Sequence, residues 1–184
     1  MIWLFRPNPL REAADLAYHR VVEQARQPIF YTDYGVPDTL DGRFELTCLF
    51  AFLYLYRLKS EREEGRRLGR AFYDRMFADF DRGLRDLGSG DLRLGREIKR
   101  MGEAFGGRIR AYEEGLCGDD GLLAAALARN LFGTLRKPPR AVAAFASYLR
   151  AAALDLAHQD REEVLSGRVR FRAPMPVPLV EGAS

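Results

Sequence analysis

Histidine and cysteine, the residues that most often carry metal or nucleophilic chemistry, are scarce in this sequence. His19 and His158 each fall in a predicted helix, and neither has a cysteine or second histidine at metal-ligand spacing. Cys48 and Cys117 lie far apart, and Cys48 sits in an apolar run, where a free cysteine behaves as a small hydrophobe. The sequence has no phosphate-binding glycine loop and no nucleophile elbow. We therefore expect no catalytic residue, metal site or cofactor, and no enzymatic activity.

Charge recognition is the other chemistry that the sequence offers. Lysine and arginine total 29 and aspartate and glutamate total 26, which gives a net charge of +3 and an isoelectric point near 9.0. Because acids interleave with the bases, the predicted surface is mixed rather than polybasic. This pattern favours nucleic acid only weakly, and we expect no DNA partner.

Two predicted helices nevertheless carry local clusters of cations that could bind the phosphates of RNA or lipid. The clusters are Arg66, Arg67 and Arg70 on one helix, and Arg93, Arg96, Lys99 and Arg100 on the next. The alternative for either cluster is an exposed face whose charges pair with nearby carboxylates. We take the second cluster as a candidate partner-binding face.

The stretch GVPDTLDGRFEL, residues 35–46, places several charges directly before an apolar run. A charge left unpaired in a protein interior is strongly unfavourable, so these groups must lie at the rim of the core or pair within it. One interpretation is a structural ion-pair and capping cluster of Asp38, Asp41, Arg43 and Glu45. The other interpretation, compatible with the first, is that the adjacent aromatic loop is exposed and binds a partner through Phe30, Tyr31, Tyr34, Val36 and Pro37.

Apolar residues at helical spacing predict six helices. They run from Pro9 to about Arg26, from Thr39 or Asp41 to about Lys59, from Arg62 to Leu87, across Leu94 to Leu116, from Asp119 or Asp120 to Gly133, and from Pro138 or Pro139 to about Leu156. The second helix is apolar on every face over residues 46–56 and must be surrounded by other helices. That segment is about half of the ~20 residues needed to cross a bilayer. We expect no transmembrane segment.

These elements predict an all-α, single-domain bundle of about six helices around one central apolar helix. After Gly167 the alternation in VRFR is compatible with one short strand, and APMPVPLVEGAS is predicted to be extended because its prolines exclude helix. We place the helical domain at residues 1–170 and the tail at 171–184. The N-terminus MIWLFRPNPL lacks the basic lead and cleavage site of a secretory signal, so we expect a cytoplasmic protein.

Three stretches of the chain resemble the ubiquinol-cytochrome c chaperone family, the bacterial and mitochondrial assembly factors of the cytochrome bc complex. They are YTDYGVPDTLDGRFEL with the apolar helix and YRLK that follow it, FADFDRGLRDLGSGDLRLGREIKRMGEAFGGRIRAY, and LAAALARNLF. The resemblance spans residues 31–132. It implies an all-helical, non-enzymatic chaperone that binds newly made cytochrome b until haem and the other subunits arrive.

The resemblance also implies that a ribosome or a small protein is a further partner. Our hypothesis is that an amphipathic face shields apolar segments of the client while arginines contact its polar loops, the ribosome or anionic lipid. Contact with lipid would make the chain a peripheral protein at the inner face of the cytoplasmic membrane. The alternative function is a ribosome- or RNA-associated helical binding protein without a folding role.

Overall fold

A computed structural model describes residues 8–86 and 91–177 of the chain, without the side chains of residues 91–93. The regular structure within these residues is helical. It comprises α1 (Pro9–Ala25), α2 (Ile29–Thr32), α3 (Leu40–Leu58), α4 (Arg62–Asp86), α5 (Asp91–Cys117), α6 (Asp120–Asn130), α7 (Val142–Ala157) and α8 (Arg161–Leu165), with a 3₁₀ turn at Lys59–Glu61.

The prediction of an all-α, single-domain fold is confirmed. The six predicted helices correspond to α1, α3, α4, α5, α6 and α7, whereas the short helices α2 and α8 have no counterpart in the prediction. Helix α7 begins at Val142, later than the proline pair that was expected to open it. The strand suggested for VRFR is wrong, because residues 169–172 lie in irregular backbone and residues 8–86 and 91–177 contain no strand to pair with.

Side-chain caps fix where three of the long helices begin. The Asn8 side chain accepts a hydrogen bond from the Leu10 amide at 3.1 Å, and Pro9 occupies the first position of α1. The Thr39 hydroxyl accepts from the Gly42 amide at 3.1 Å and caps α3. Asp119 caps α6 in the same way. A hydroxyl rather than a carboxylate therefore begins the central helix.

Helix α3 lies at the centre of the bundle, as its uniform apolarity predicted. It packs against α1, α4, α5 and α7, and residues 48–54 are at most 1% exposed. Its aromatic rings point toward different neighbours, with Phe52 against Tyr112 of α5 at 5.6 Å and Tyr54 against Phe72 of α4 at 5.0 Å. Each fully buried leucine or phenylalanine stabilises the fold by about 1.5–3 kcal/mol. Among the described residues, no helix is long and apolar enough to cross a bilayer.

The first part of the predicted tail is extended and packs on the helical body. The Arg172 carbonyl accepts hydrogen bonds from Gln24 Nε2 at 2.9 Å and from Tyr148 Oη at 2.7 Å. Tyr34 Oη donates to the Met175 carbonyl at 3.0 Å. These bonds join the segment to α1, α7 and the α2–α3 connection, while residues 178–184 lie outside the described part of the chain. The division into a domain and a tail at residue 171 stays a prediction.

Candidate partner-binding surfaces

The aromatic loop that was predicted to be an exposed binding edge lies mostly inside the core. Phe30, Tyr34 and Val36 are 0%, 3% and 2% exposed, so the prediction that they are exposed is wrong. The Phe30 and Phe145 rings stack at 5.5 Å, and Tyr34 lies 5.0 Å from the same Phe145 ring. The short helix α2 turns Phe30 inward. Treating this segment as irregular backbone gave no basis for predicting that direction.

Tyr31 and Pro37 remain partly exposed beside this buried cluster. The Tyr31 hydroxyl donates to the Ala25 carbonyl at 2.9 Å, and burial raises the pKa of the Tyr31 phenol. A Cβ on Gly42 would lie 2.0 Å from the Pro37 carbonyl oxygen, so glycine is required for the loop to approach α3 this closely. Both side chains are therefore held on a rigid connection, and a binding role for them stays a prediction.

The charges at the start of α3 separate into exposed and buried groups. Arg43 Nε donates to Asp38 Oδ1 at 2.8 Å, and both side chains are mostly exposed. The hydrogen bond from Arg43 lowers the pKa of the Asp38 carboxyl. Asp41 is exposed in the first turn of α3, where the positive end of the helix dipole favours an anion. Only Glu45 enters the interior, and it does so with a partner.

Glu45 forms a bidentate ion pair with Arg108 of α5. Arg108 Nε donates to Glu45 Oε2 at 2.6 Å, and Nη2 donates to Oε1. The two side chains are 12% and 18% exposed, and the hydrogen bond to Glu45 raises the pKa of Arg108. The guanidinium also lies 5.7 Å from the centre of the Phe44 ring, within the range of a cation–π contact. This pair joins the first turns of α3 to the middle of α5.

Cys48 and Tyr112 lie close enough to this ion pair for its charges to influence their pKa values. Burial raises the pKa of the Cys48 thiol and of the Tyr112 phenol, so both groups are neutral at physiological pH. A reactive cysteine needs a lowered pKa and access to solvent, and Cys48 has neither. Tyr112 Oη is buried without a hydrogen-bond partner among the described residues. The cluster is therefore a structural part of the core.

The basic face predicted on α5 is exposed, but carboxylates of the same helix partly neutralise it. Arg100 Nη2 lies 2.7 Å from Glu97 Oε2, and Lys99 Nζ lies 3.8 Å from Glu103 Oε1. Exposed pairs at i,i+3 and i,i+4 contribute little stability. Their main effect here is to reduce the positive charge available to a partner.

The other cations that were predicted from the sequence also include some that form salt bridges and some that do not. Arg96 is exposed and forms no salt bridge with the described residues, while the Arg93 side chain lies outside the part of the chain that is described. On α4, Arg66 pairs with Glu63 three residues earlier. Of the six cations whose side chains are described, three therefore form salt bridges, whereas the exposed Arg67, Arg70 and Arg96 form none with the described residues.

An apolar strip of Leu40, Phe44 and Phe80 crosses from α3 to α4 and was not singled out from the sequence. Leu40 is 69% exposed, and Phe44 and Phe80 are partly exposed with ring centres 5.1 Å apart. Leu40 and Phe44 are one turn apart on the same face of α3. This i,i+4 spacing was visible in the sequence, but a helix that is apolar all round gives no sign of which positions reach the surface.

The connection of residues 133–140, which we call the α6–α7 loop, was also missed. It carries Arg136, Lys137 and Arg140 and no acidic residue. All three cations are exposed, and none forms a salt bridge within the described part of the chain. Leu135, in the same loop, is 38% exposed. A count of charges in a short window would have found this segment.

A shallow depression of about 410 Å³ lies between α7, α8 and the C-terminal segment. Its charged side chains pair with one another, with Arg170 Nη2 at 2.7 Å from Glu163 Oε2 and Arg172 Nη1 at 2.7 Å from Asp155 Oδ2. Among the described residues, no group of three or more His, Cys, Asp or Glu side chains is placed to hold a metal ion. Exposed apolar area and exposed charge, as at the strip and the α6–α7 loop, are features that protein contacts use.

Comparison with known proteins gives a consistent set of relatives. A family model described as "Ubiquinol-cytochrome C chaperone" matches residues 32–171. "Ubiquinol-cytochrome-c reductase complex assembly factor 1" of Xenopus laevis is 32% identical over 173 residues, which are 94% of this chain and 84% of that protein. The Homo sapiens protein of that description is 30% identical over 173 residues, 94% of this chain and 56% of its own length.

More distant relatives agree with these. "Protein CBP3, mitochondrial" of Saccharomyces cerevisiae is 28% identical over 150 residues, and the match covers 79% of this chain but 44% of the yeast protein. The chain thus spans about half the length of the human and yeast relatives. The crystal structure of the Cbp3 homolog from Brucella abortus superimposes with a TM-score of 0.81 at 32% identity, covering 90% of this chain and 91% of that chain.

Proposed function

The chain belongs to the ubiquinol-cytochrome c chaperone family, and from this membership we propose that it assists assembly of the ubiquinol-cytochrome c reductase complex by binding newly made cytochrome b. The match over residues 32–171 is the observation that carries the proposal. The Xenopus laevis and Homo sapiens relatives are described as assembly factors of that complex, and the family is one of chaperones rather than enzymes.

We propose the apolar strip of Leu40, Phe44 and Phe80 as the surface that receives the client. A membrane protein awaiting assembly exposes apolar side chains, and an exposed leucine beside a partly exposed aromatic pair offers them matching area. The Glu45–Arg108 pair holds α3 against α5 at this point and places a guanidinium over the Phe44 ring. The strip therefore presents a preorganised face, which lowers the entropic cost of binding.

We propose that the partly or fully exposed residues predicted from the sequence to bind a partner add contacts beside this strip. Tyr31 and Pro37 extend the apolar contact from the α2–α3 connection, and Arg96 with Lys99 and Arg100 contacts polar loops of the client. A ribosome or a small protein as a further partner rests on the family resemblance. We also propose that the chain works in the cytoplasm as a peripheral protein at the inner face of the cytoplasmic membrane, where its client is inserted.

The experiment compares two exposed leucines in a strain that lacks the chromosomal gene. Leu40 is 69% exposed and Leu154, on α7, is 61% exposed, so Leu40→Gln and Leu154→Gln remove similar exposed area from helices. We expect Leu40→Gln to lower both the capture of newly made cytochrome b and the amount of assembled complex on native gels. Leu154→Gln should leave both unchanged.

Two results would count against these proposals separately. A deletion strain with a normal cytochrome b spectrum and normal complex would defeat the assembly function. If the deletion impairs assembly but Leu40→Gln and Leu154→Gln restore it equally, the function stands and the apolar strip is the wrong surface. Thermal unfolding of both variants checks that neither loses its fold.

A further inference from the structure

We propose that the α6–α7 loop docks the protein on a membrane surface that carries anionic lipid. The inference rests on the proposed peripheral location and deepens it by naming the contacting loop and the charge of the lipid. The loop lies outside the apolar strip.

Unpaired positive charge is the first observation. Arg136, Lys137 and Arg140 are exposed in a loop without an acid, and no carboxylate of the described chain forms a salt bridge with them. The loop packs on the segment that contains Asp33 and Asp38. Asp38 accepts from Arg43 Nε at 2.8 Å, and Asp33 accepts from the neutral Thr32 hydroxyl at 2.6 Å but forms no salt bridge with the loop. The three cations remain available to an outside anion.

Exposed apolar side chains accompany this charge. A Cβ on Gly35 would lie 3.1 Å from the Pro139 Cβ, so the α6–α7 loop packs directly against the α2–α3 connection. The adjacent Tyr34 donates to the Met175 carbonyl at 3.0 Å, which brings the C-terminal segment to the same place. Leu135 is 38% exposed and Met175 is 68% exposed. Cations and apolar side chains thus project from chain segments that meet around residues 34–35.

This combination matches a lipid surface. Each lysine or arginine near an anionic leaflet strengthens binding roughly fivefold, over a distance limited by salt screening. Apolar side chains beside them can enter the boundary between headgroups and acyl chains. A nucleic acid, or a protein surface that offers charge alone, would satisfy the cations but would leave Leu135 and Met175 without an apolar environment.

Single-stranded RNA is the competing anionic partner, and the loop lacks what RNA binding commonly uses. Proteins that bind single strands stack bases on exposed aromatic rings. The aromatic residue next to the loop, Phe132, is 1% exposed and lies 6.4 Å from the Phe145 ring in the core. The exposed residues of the loop offer charge and aliphatic contact only, which favours a bilayer.

The loop is also held in one shape, so little order is lost on docking. The Leu135 amide donates to the Phe132 carbonyl at 3.0 Å, and the Val142 amide donates to the Pro139 carbonyl at 3.2 Å. Two adjacent prolines, Pro138 and Pro139, restrict the backbone between these bonds. A preorganised loop can bind with few contacts.

The test measures sedimentation of the full-length protein with vesicles of phosphatidylcholine alone or mixed with phosphatidylglycerol. We expect binding only to the mixed vesicles, with affinity that falls as salt rises. The variant Arg136→Gln/Lys137→Gln/Arg140→Gln should lose affinity by on the order of a hundredfold at low salt. The control Arg96→Gln/Lys99→Gln/Arg100→Gln removes the same charge from α5 and should change affinity by less than about tenfold, because Glu103 and Glu97 already pair with two of these three cations.

A second pair of variants tests the apolar part of the proposal. Leu135→Ser should weaken binding at high salt, where electrostatic attraction is screened, whereas Leu154→Ser should not. Equal losses from the two triple variants, or no binding to anionic vesicles, would overturn the proposal. So would a loop variant that keeps vesicle binding but loses affinity for a single-stranded RNA oligomer. Because these assays contain no client, their failure would leave the assembly function standing.

Discussion

Helix α5 carries six basic residues and the α6–α7 loop carries three, and the two segments place them in opposite electrostatic settings. On α5 the helical repeat places Glu97 and Glu103 one turn from Arg100 and Lys99, so the face partly neutralises itself. The loop has no such repeat and no acid, and its cations form no salt bridge with the described residues. The number of cations in a segment therefore says little about its usable charge. What decides is whether carboxylates lie at helical spacing or on a packed neighbour.

The largest loss of stability should come from removing Arg108, the cation of α5 that is paired in the interior. Arg108→Ala leaves Glu45 buried without its bidentate partner, and loss of one member of a buried ion pair costs about 3–5 kcal/mol. Urea unfolding followed by circular dichroism measures this loss. The double variant Glu45→Leu/Arg108→Met replaces the pair with apolar groups and should recover most of the stability. If Arg108→Ala unfolded at the same urea concentration as the parent chain, the Glu45–Arg108 pair would not contribute to the stability of the fold.

Arg57 extends the comparison, because this largely buried cation has several hydrogen-bond partners. A pH series can measure how much stability one of them contributes. The Arg57 side chain is 8% exposed and donates to Glu61 at 2.5 Å, to the Leu156 carbonyl at 2.8 Å and to the Gln159 carbonyl at 3.2 Å. The bond from Arg57 lowers the pKa of Glu61 below its usual 4.5. A lowered pKa in the folded state adds stability above the unfolded-state pKa, and this part is lost as pH falls through the folded-state value.

Glu61→Gln should therefore reduce stability at pH 7 and should flatten the decline of stability below about pH 4.5. The loss should be smaller than for Arg108→Ala, because Arg57 keeps its carbonyl acceptors. Urea unfolding from pH 6 to pH 3 measures both effects. Parallel declines for Glu61→Gln and the parent chain would show that this carboxylate does not contribute to acid sensitivity.

The distinction between local spacing and tertiary contacts also explains how far the sequence could predict the structure. Periodicity located the long helices, and the uniformly apolar run correctly placed α3 at the centre, because burial of a whole helix leaves no polar face in its sequence. The α2–α3 connection was harder. Phe30 and Tyr34 look alike in the sequence whether they face solvent or core, and their direction depends on rings of α7 that are distant in the chain.

Surface charge, too, is predictable from the sequence only in part. Pairs within one helix, such as Arg100 with Glu97, follow from spacing and are predictable. The partner of Glu45 is Arg108, which lies on another helix, so only the tertiary structure reveals it. The apolar strip and the α6–α7 loop depend on which side chains stay uncovered after packing. No local pattern in the sequence records that outcome.

The smallest expected effect tests the comparison most directly, by giving α5 the unpaired charge of the loop. Glu97→Gln/Glu103→Gln removes the carboxylates beside Arg100 and Lys99 while both positions keep a similar shape and helix propensity. Affinity for phosphatidylglycerol vesicles should rise by about threefold to tenfold, because two neutralised cations become available. The matched control Glu12→Gln/Glu114→Gln makes the same charge change at exposed helix positions that form no salt bridge with the described residues. If both variants raised affinity equally, net charge would govern binding and the local pairing on α5 would be irrelevant to it.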